Sequence, residues 1–289
     1  MTMDPRDLEA WCRIPVEDLA NHPTKIHFEI VEDPAAMGRR MALELIETIE
    51  QNPSARVIVP CGPSSWYAPW TEEVNARGLS LANITVFHMD ECLDAQGRPI
   101  PPEHPYNFRA FMEREFYGGI SAERNVPEPQ RFWLEPSTAE RVAEAIVEAP
   151  LDLTLGGWGQ DGHVAYNQAR RHPFSRVGLE ELADSTIRIQ DNNLDTVIAL
   201  AHRTFGTAYQ FVPPMSITLG MRECLSAAKV RLYSDTGAWK QTAFRVALFS
   251  DPDPEYPITL LQRHPDARIT ATVETARHPL ADHPEWRLS

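Results

Sequence analysis

Short β-forming runs recur along this chain, and stretches with helical spacing separate most of them. That alternation constrains the fold more than any other feature. Arg56–Pro60, Ile84–Met89, Arg131–Leu134, Leu151–Leu155, Ser216–Leu219, Val230–Tyr233 and Ala267–Val273 read as strands bounded by turn residues. Residues 34–49 place Met37, Met41, Leu45 and Ile49 on one helical face, with Asp33 as N-cap and Pro34 in the first helical position. Residues 66–77 and 106–117, a stretch from Thr138 to Val147 capped by Ser137, and a stretch from about Ala238 to Leu248 also read as helices. Strands joined through helices need right-handed crossovers, so the expected fold class is α/β, with a mostly parallel sheet flanked by helices. Residues 1–25, rich in proline and charge without sustained periodicity, read as an N-terminal extension packed on the outside; residues 26–289 read as a single domain.

Charge narrows the partners. The chain has 27 Lys and Arg against 41 Asp and Glu, a formal net charge of −14. Such a surface disfavours nucleic acid and anionic membranes, which both need positive charge. No apolar run approaches the ~20 residues that span a bilayer, and the first residues lack a basic segment followed by an apolar one. Cys12, Cys61, Cys92 and Cys224 are scattered without a CxxC pair, which fits a reducing cytoplasm better than a disulfide scaffold or zinc site. An anionic ligand would need a local cluster of cations.

In parallel α/β sheets ligands bind beyond the carboxyl ends of the strands, so the residues after each strand are the candidates. His88 and Asp90 share a face at the end of the 84–89 run, and a carboxylate there can take and return a proton. A helix cap or strand-end ion pair is the competing reading of Asp90. After Leu155 come four glycines in seven residues, Gly156, Gly157, Gly159 and Gly162, then His163 through Gln168. Gly157 and Gly159 let backbone N–H groups approach a ligand, and Asp161 can orient or charge His163. Arg176, Arg203 and Lys240 are the late cations, Lys240 near the start of a helix that follows a strand, where a phosphate is favoured. Gly62, Ser64 and Ser65 could cradle a phosphate in the loop after the 56–60 strand, although Pro63 removes one N–H. The chain has neither a Walker A loop, a GxGxxG with a following acidic residue, nor a Gly-x-Ser-x-Gly elbow. His88, Asp90, Asp161 and His163 could alternatively bind a divalent metal.

These residues resemble the glucosamine-6-phosphate deaminase/isomerase family, which includes the 6-phosphogluconolactonases. The deaminases carry FNMDEY and GGxGxDGHIAFNEP; here the segments are FHMDEC and GGWGQDGHVAYNQA. EHPYNFRAFM at 103–112, Ser175-Arg176 and VPPMSITLG at 212–220 extend the likeness over roughly residues 30–275. The resemblance implies a modified doubly wound α/β fold and an aldose–ketose isomerisation coupled to loss of ammonia, with no metal or other cofactor. Carried over, Asp90 is the base between C2 and C1, while Asp161 and His163 open the sugar ring. Arg203 and Lys240, helped by the 60–65 loop, hold the 6-phosphate of a sugar substrate.

Four departures mark a divergent member. Gln168 replaces a Glu that contacts the His in the deaminases, which takes a negative charge away from the ring-opening pair. The phosphate loop is PCGPSS, an effector-site arginine is replaced by Gly178, and His88 replaces an Asn beside Asp90. The expected activity is therefore a cytoplasmic sugar-phosphate isomerase or deaminase with altered substrate preference, with a homo-oligomer left open. The alternatives are a lactonase-type hydrolase using His163 to activate water, and a non-catalytic sugar-phosphate binder.

Overall fold

A computed structural model of the protein describes residues 3–170, 174 and 176–288. In chain order the strands are β1 (His27–Val31), β2 (Arg56–Val59), β3 (Thr85–His88), β4 (Asp90–Leu93), β5 (Arg131–Phe132), β6 (Leu153–Gly156), β7 (Arg188–Asp191), β8 (Met215–Thr218), β9 (Lys229–Ser234) and β10 (Ala267–Thr272). Seven of them form one parallel sheet in the order β1-β10-β9-β6-β2-β3-β5. From β2 the chain builds outward through β3 to β5, then returns to the other side of β2 with β6 and continues through β9 to β10. The order thus reverses between β2 and β6, and the loops leaving those two strands flank a crevice. The fold is α/β, as the alternation predicts.

Helices cover both faces. They are α1 (Pro5–Cys12), α2 (Pro34–Gln51), α3 (Tyr67–Arg77), α4 (Phe108–Met112), α5 (Ala139–Glu148), α6 (Leu179–Ala183), α7 (Leu194–Thr204), α8 (Met221–Cys224) and α9 (Gln241–Phe249). Asp33 caps α2 by accepting the Ala36 N–H at 2.7 Å, and Pro34 opens the helix. α2 buries Met37, Met41, Leu45 and Ile49 against Val57, Val59 and Val86, together with Trp66 and Trp70 around α3. The alternate strand positions, Ile58 and Phe87 beside α5 and Val230 and Leu232 beside α9, face the other way, as the period of two requires. α1 lies on α9, where the buried Arg245 donates to the carbonyls of Ile14 at 2.8 Å and Ala276 at 2.6 Å. Among the described residues no helix is long and apolar enough to cross a membrane.

The structure departs from the sequence reading where the chain changes sheets. The 84–89 run ends at His88, and Asp90 begins β4, which belongs to a separate antiparallel sheet in the order β4-β8-β7. Met89 is the hinge: its N–H donates to the Val59 carbonyl at 3.1 Å and its carbonyl accepts the Leu219 N–H at 2.9 Å. The predicted 216–219 strand lies in this small sheet as β8, not in the parallel one. The sequence reading assigned neither β1 nor β7, although Phe28 and Ile30 alternate with His27 and Glu29 along β1; both are short, partly exposed edge strands. The predicted 106–117 helix is α4 continued by a π turn, Glu113–Tyr117.

Helix α2 also seats the loop after β2. A β-carbon at Gly38 would collide with the carbonyl of Ser65, so only glycine lets the helix approach the loop this closely. Gly38→Ala should destabilise the protein by about 1–3 kcal/mol in urea titration, the usual range for overpacking, and should weaken binding of inorganic phosphate because the loop must shift.

Candidate active site

The loops after β2, β6 and β9 enclose an open cavity of about 480 Å3. Of the residues predicted from sequence, Gly62, Ser64, Asp90, Gly157, His163, Arg203 and Lys240 line it. Gly157 sits where a side chain would press on the carbonyls of Gly62 and Tyr233, each 3.3 Å from its would-be β-carbon, so three strand ends can converge here. Ser65 is not a lining residue: its carbonyl packs against Gly38 and its hydroxyl is buried. Arg176 is exposed and does not line the cavity either; Ser175 lies outside the described residues.

His163 and Asp161 form a dyad. Asp161, buried behind the imidazole, accepts the ring Nδ1–H at 2.6 Å and the His163 backbone N–H at 3.2 Å through Oδ1. This bond sets the tautomer and leaves Nε2 to exchange a proton with a ligand. Gly159 has a reason specific to this site: a β-carbon there would run into the imidazole ring. Gly162 at φ +75 and Ala165 at φ +53 fold the loop back on itself, so His163 and Tyr166 stack at 5.8 Å.

Gln168 does not reach the cavity. Its Nε2 donates to Thr196 Oγ1 and its Oε1 accepts the Asn193 N–H at 3.0 Å. The 3.5 Å approach of Nε2 to His163 Nδ1 sets two donors side by side, because Nδ1 already gives its proton to Asp161. The amide therefore braces the dyad loop against the start of α7, the helix that carries Arg203.

Asp90 reaches the cavity because the chain leaves the parallel sheet at Met89. The same small sheet positions the dyad loop: Thr218 Oγ1 accepts the Tyr166 N–H at 3.0 Å, and Asn167 Nδ2 donates to the Leu219 carbonyl at 2.9 Å. Burial, and then the neighbouring charge of Glu91, push the Asp90 carboxyl up to about 8. His88 diverges from Asp90, which corrects the shared-face expectation. Its ring stacks on Trp133 at 3.7 Å and its Nε2 bonds the Tyr117 hydroxyl at 3.0 Å. Burial and the charges of Arg131 and Arg109 hold its pKa well below the usual range, so it is neutral.

Sequence reasoning gave no role to Glu91. Its carboxylate accepts the N–H groups of Cys92 at 2.9 Å, Phe108 at 2.8 Å and Arg109 at 2.7 Å, which pins α4 beside Asp90. The signal was available in the spacing of MDE and the 103–112 segment, but only contact geometry gives it meaning.

Arg203, from the last turn of α7, and Lys240, just before α9, face each other across the anion side of the cavity. Burial, and then repulsion from Arg203, lower the Lys240 ammonium to about 8, with Asp235 and Asp161 opposing the shift. Two mutually repelling cations on one cavity wall, in a protein of net charge −14, make a local positive patch suited to an anion. The metal alternative has no geometric support: among the described residues no three or more His, Cys, Asp and Glu side chains gather to hold an ion.

A buried carboxyl, a carboxylate–imidazole pair and two cations gather at the switch point of a parallel sheet, the arrangement of an α/β enzyme site. No family model matches the chain. A glucosamine-6-phosphate deaminase of Parabacteroides distasonis is 31% identical over 201 residues, covering 68% of each chain. One from Rhodopirellula baltica is 27% identical over 267 residues, 89% of this chain and 96% of the relative. The solved structure of a monomeric glucosamine-6-phosphate deaminase superposes with a TM-score of 0.74 at 20% identity, covering 87% of this chain and 99% of the other. The chain belongs to the glucosamine-6-phosphate deaminase family.

Two tests follow from the electrostatics. The folded Asp90 carboxyl keeps its proton to about pH 8, whereas an unfolded one loses it near 4, so this group makes stability fall as pH rises between those values. Asp90→Asn should therefore raise Tm over wild type by several degrees at pH 8 and by almost nothing at pH 4, measured by scanning calorimetry. Inorganic phosphate should raise Tm at pH 7, and Arg203→Met or Lys240→Met should weaken its Kd by about tenfold or more, as expected for a lost charged hydrogen bond. Its affinity should decline above pH 8, where the free enzyme's Lys240 loses its proton.

Proposed function

We propose that the enzyme converts glucosamine 6-phosphate to the corresponding ketose 6-phosphate and ammonia. The observation that carries this reading is that the Asp90 carboxyl, the His163 ring and the Arg203–Lys240 pair line one cavity. Arg203, Lys240 and the N–H groups around Gly62 and Ser64 bind the phosphate, a remote anchor that orients the sugar. His163 Nε2 takes the anomeric hydroxyl proton and returns one to the ring oxygen, which opens the ring, while Asp161 stabilises the imidazolium between the two transfers. Asp90 as carboxylate then removes the C2 proton; the electron pair moves into the C1–C2 bond as the C1 oxygen gains a proton. As Asp90 returns the proton to C1, the C2 nitrogen gives up one ammonium proton to solvent, which yields the protonated ketimine; its hydrolysis by one water releases ammonia.

Asp90 binds its proton more tightly than an ordinary carboxyl, which makes its carboxylate a stronger base towards carbon. A substrate ammonium beside it would favour the charged form. Residues 26–289 hold every group named here, and four free thiols fit a reducing, cytoplasmic setting.

NMR of glucosamine 6-phosphate incubated with the enzyme should show ketose 6-phosphate with an equal amount of ammonia. Asp90→Asn should lower the rate by about 10²–10⁴-fold, the contribution of a positioned acid–base group. Hydrolysis of 6-phosphogluconolactone that survives Asp90→Asn, with no ketose from the amino sugar, would favour the hydrolase instead.

A further inference from the structure

Asp90 lines two cavities, and only the larger one is used above. The second has a volume of about 10 Å3, room for a single water molecule. Its inner wall is His88 and Met89, both buried; its outer wall is the Arg109–Glu135 ion pair at 2.8 Å, whose side chains are 40% and 20% exposed. Asp90 and the partly exposed Glu135 thus line the same small space, which adjoins the larger cavity through the shared Cys61, Met89, Asp90 and Phe108. Of the ionisable groups that face it, His88 is held by Tyr117, both Glu91 oxygens accept backbone N–H groups, and burial keeps the Cys61 thiol protonated. Glu135 engages one oxygen with Arg109 and is the carboxylate at the solvent end.

We propose that this cavity is a proton exit for Asp90, with one water between its carboxyl and Glu135. The inference rests on the reading of Asp90 as the C2 base. After C2–H cleavage Asp90 is a neutral acid. It passes its proton to the water, which gives one of its own to the Glu135 carboxylate and so to solvent. The reverse sequence reprotonates Asp90 from solvent before C1 is protonated. Protons thus exchange while the sugar fills the front cavity, and charge balances at every transfer. Glu135 touches no substrate; it is a positioning residue at the outer end of the path.

The test is turnover of protium-labelled glucosamine 6-phosphate in D2O, with deuterium at C1 of the ketose read by NMR. Wild type should incorporate deuterium in part of the product. Glu135→Gln should raise the fraction that retains the substrate proton several-fold, and Glu135→Asp should bring it back towards wild type. A merely structural loss that slowed protonation of C1 would give exchange more time and lower the retained fraction, the opposite of the change expected here. Unchanged retention in Glu135→Gln, or complete retention in wild type, overturns the exit and leaves the assigned reaction standing. Absence of any ketose from wild type removes the reaction and the exit together.

Discussion

The site depends on how one residue divides its backbone hydrogen bonds. Met89 gives its N–H to β2 of the parallel sheet and its carbonyl to Leu219, at the end of β8. The chain is passed from one sheet to the other within a single peptide. Because of that handover Asp90 stands over the crevice while His88, two residues earlier, is packed into the core. A strand continued past Met89 would have kept both on one face. The small sheet then fixes the dyad loop through Thr218 and Leu219, so base and dyad share a scaffold although more than 70 residues separate them in sequence.

The electrostatics run against stability. Asp90 is a carboxyl held in surroundings that disfavour its charge, and Lys240 is an ammonium held against a guanidinium. Each arrangement destabilises the free protein and is relieved by a ligand bearing the complementary charge, which is how binding energy is directed to a site. Burial elsewhere supports it: Gly38 admits α2 against the phosphate loop, and Glu91 pins α4. Gln168 shows the same division of labour. It braces the dyad loop against α7 and serves as a structural tie.

Several features were legible because they are local. Asp33 with Pro34 marks the start of α2, the apolar spacing of Met37 to Ile49 marks its buried face, and the glycines from 156 to 162 mark a loop that must let groups approach closely. The resemblance placed the base, the dyad and the two cations, and seven of the predicted site residues do line one cavity. Edge strands β1 and β7 went unassigned although β1 alternates, because each is a run of only four or five partly exposed residues.

By itself the sequence determined the alternation of strands and helices, and so the parallel sheet, together with the chemical groups available at its loops. Those are consequences of residue type and spacing, which act over a few neighbours. Tertiary structure alone decided that Asp90 turns out of the sheet while His88 stays in it. It also decided that Ser65 and Gln168 serve as supports, and that Arg203 and Lys240 meet. Those outcomes depend on hydrogen bonds and packing between segments 25 to 130 residues apart, where no local periodicity carries the information.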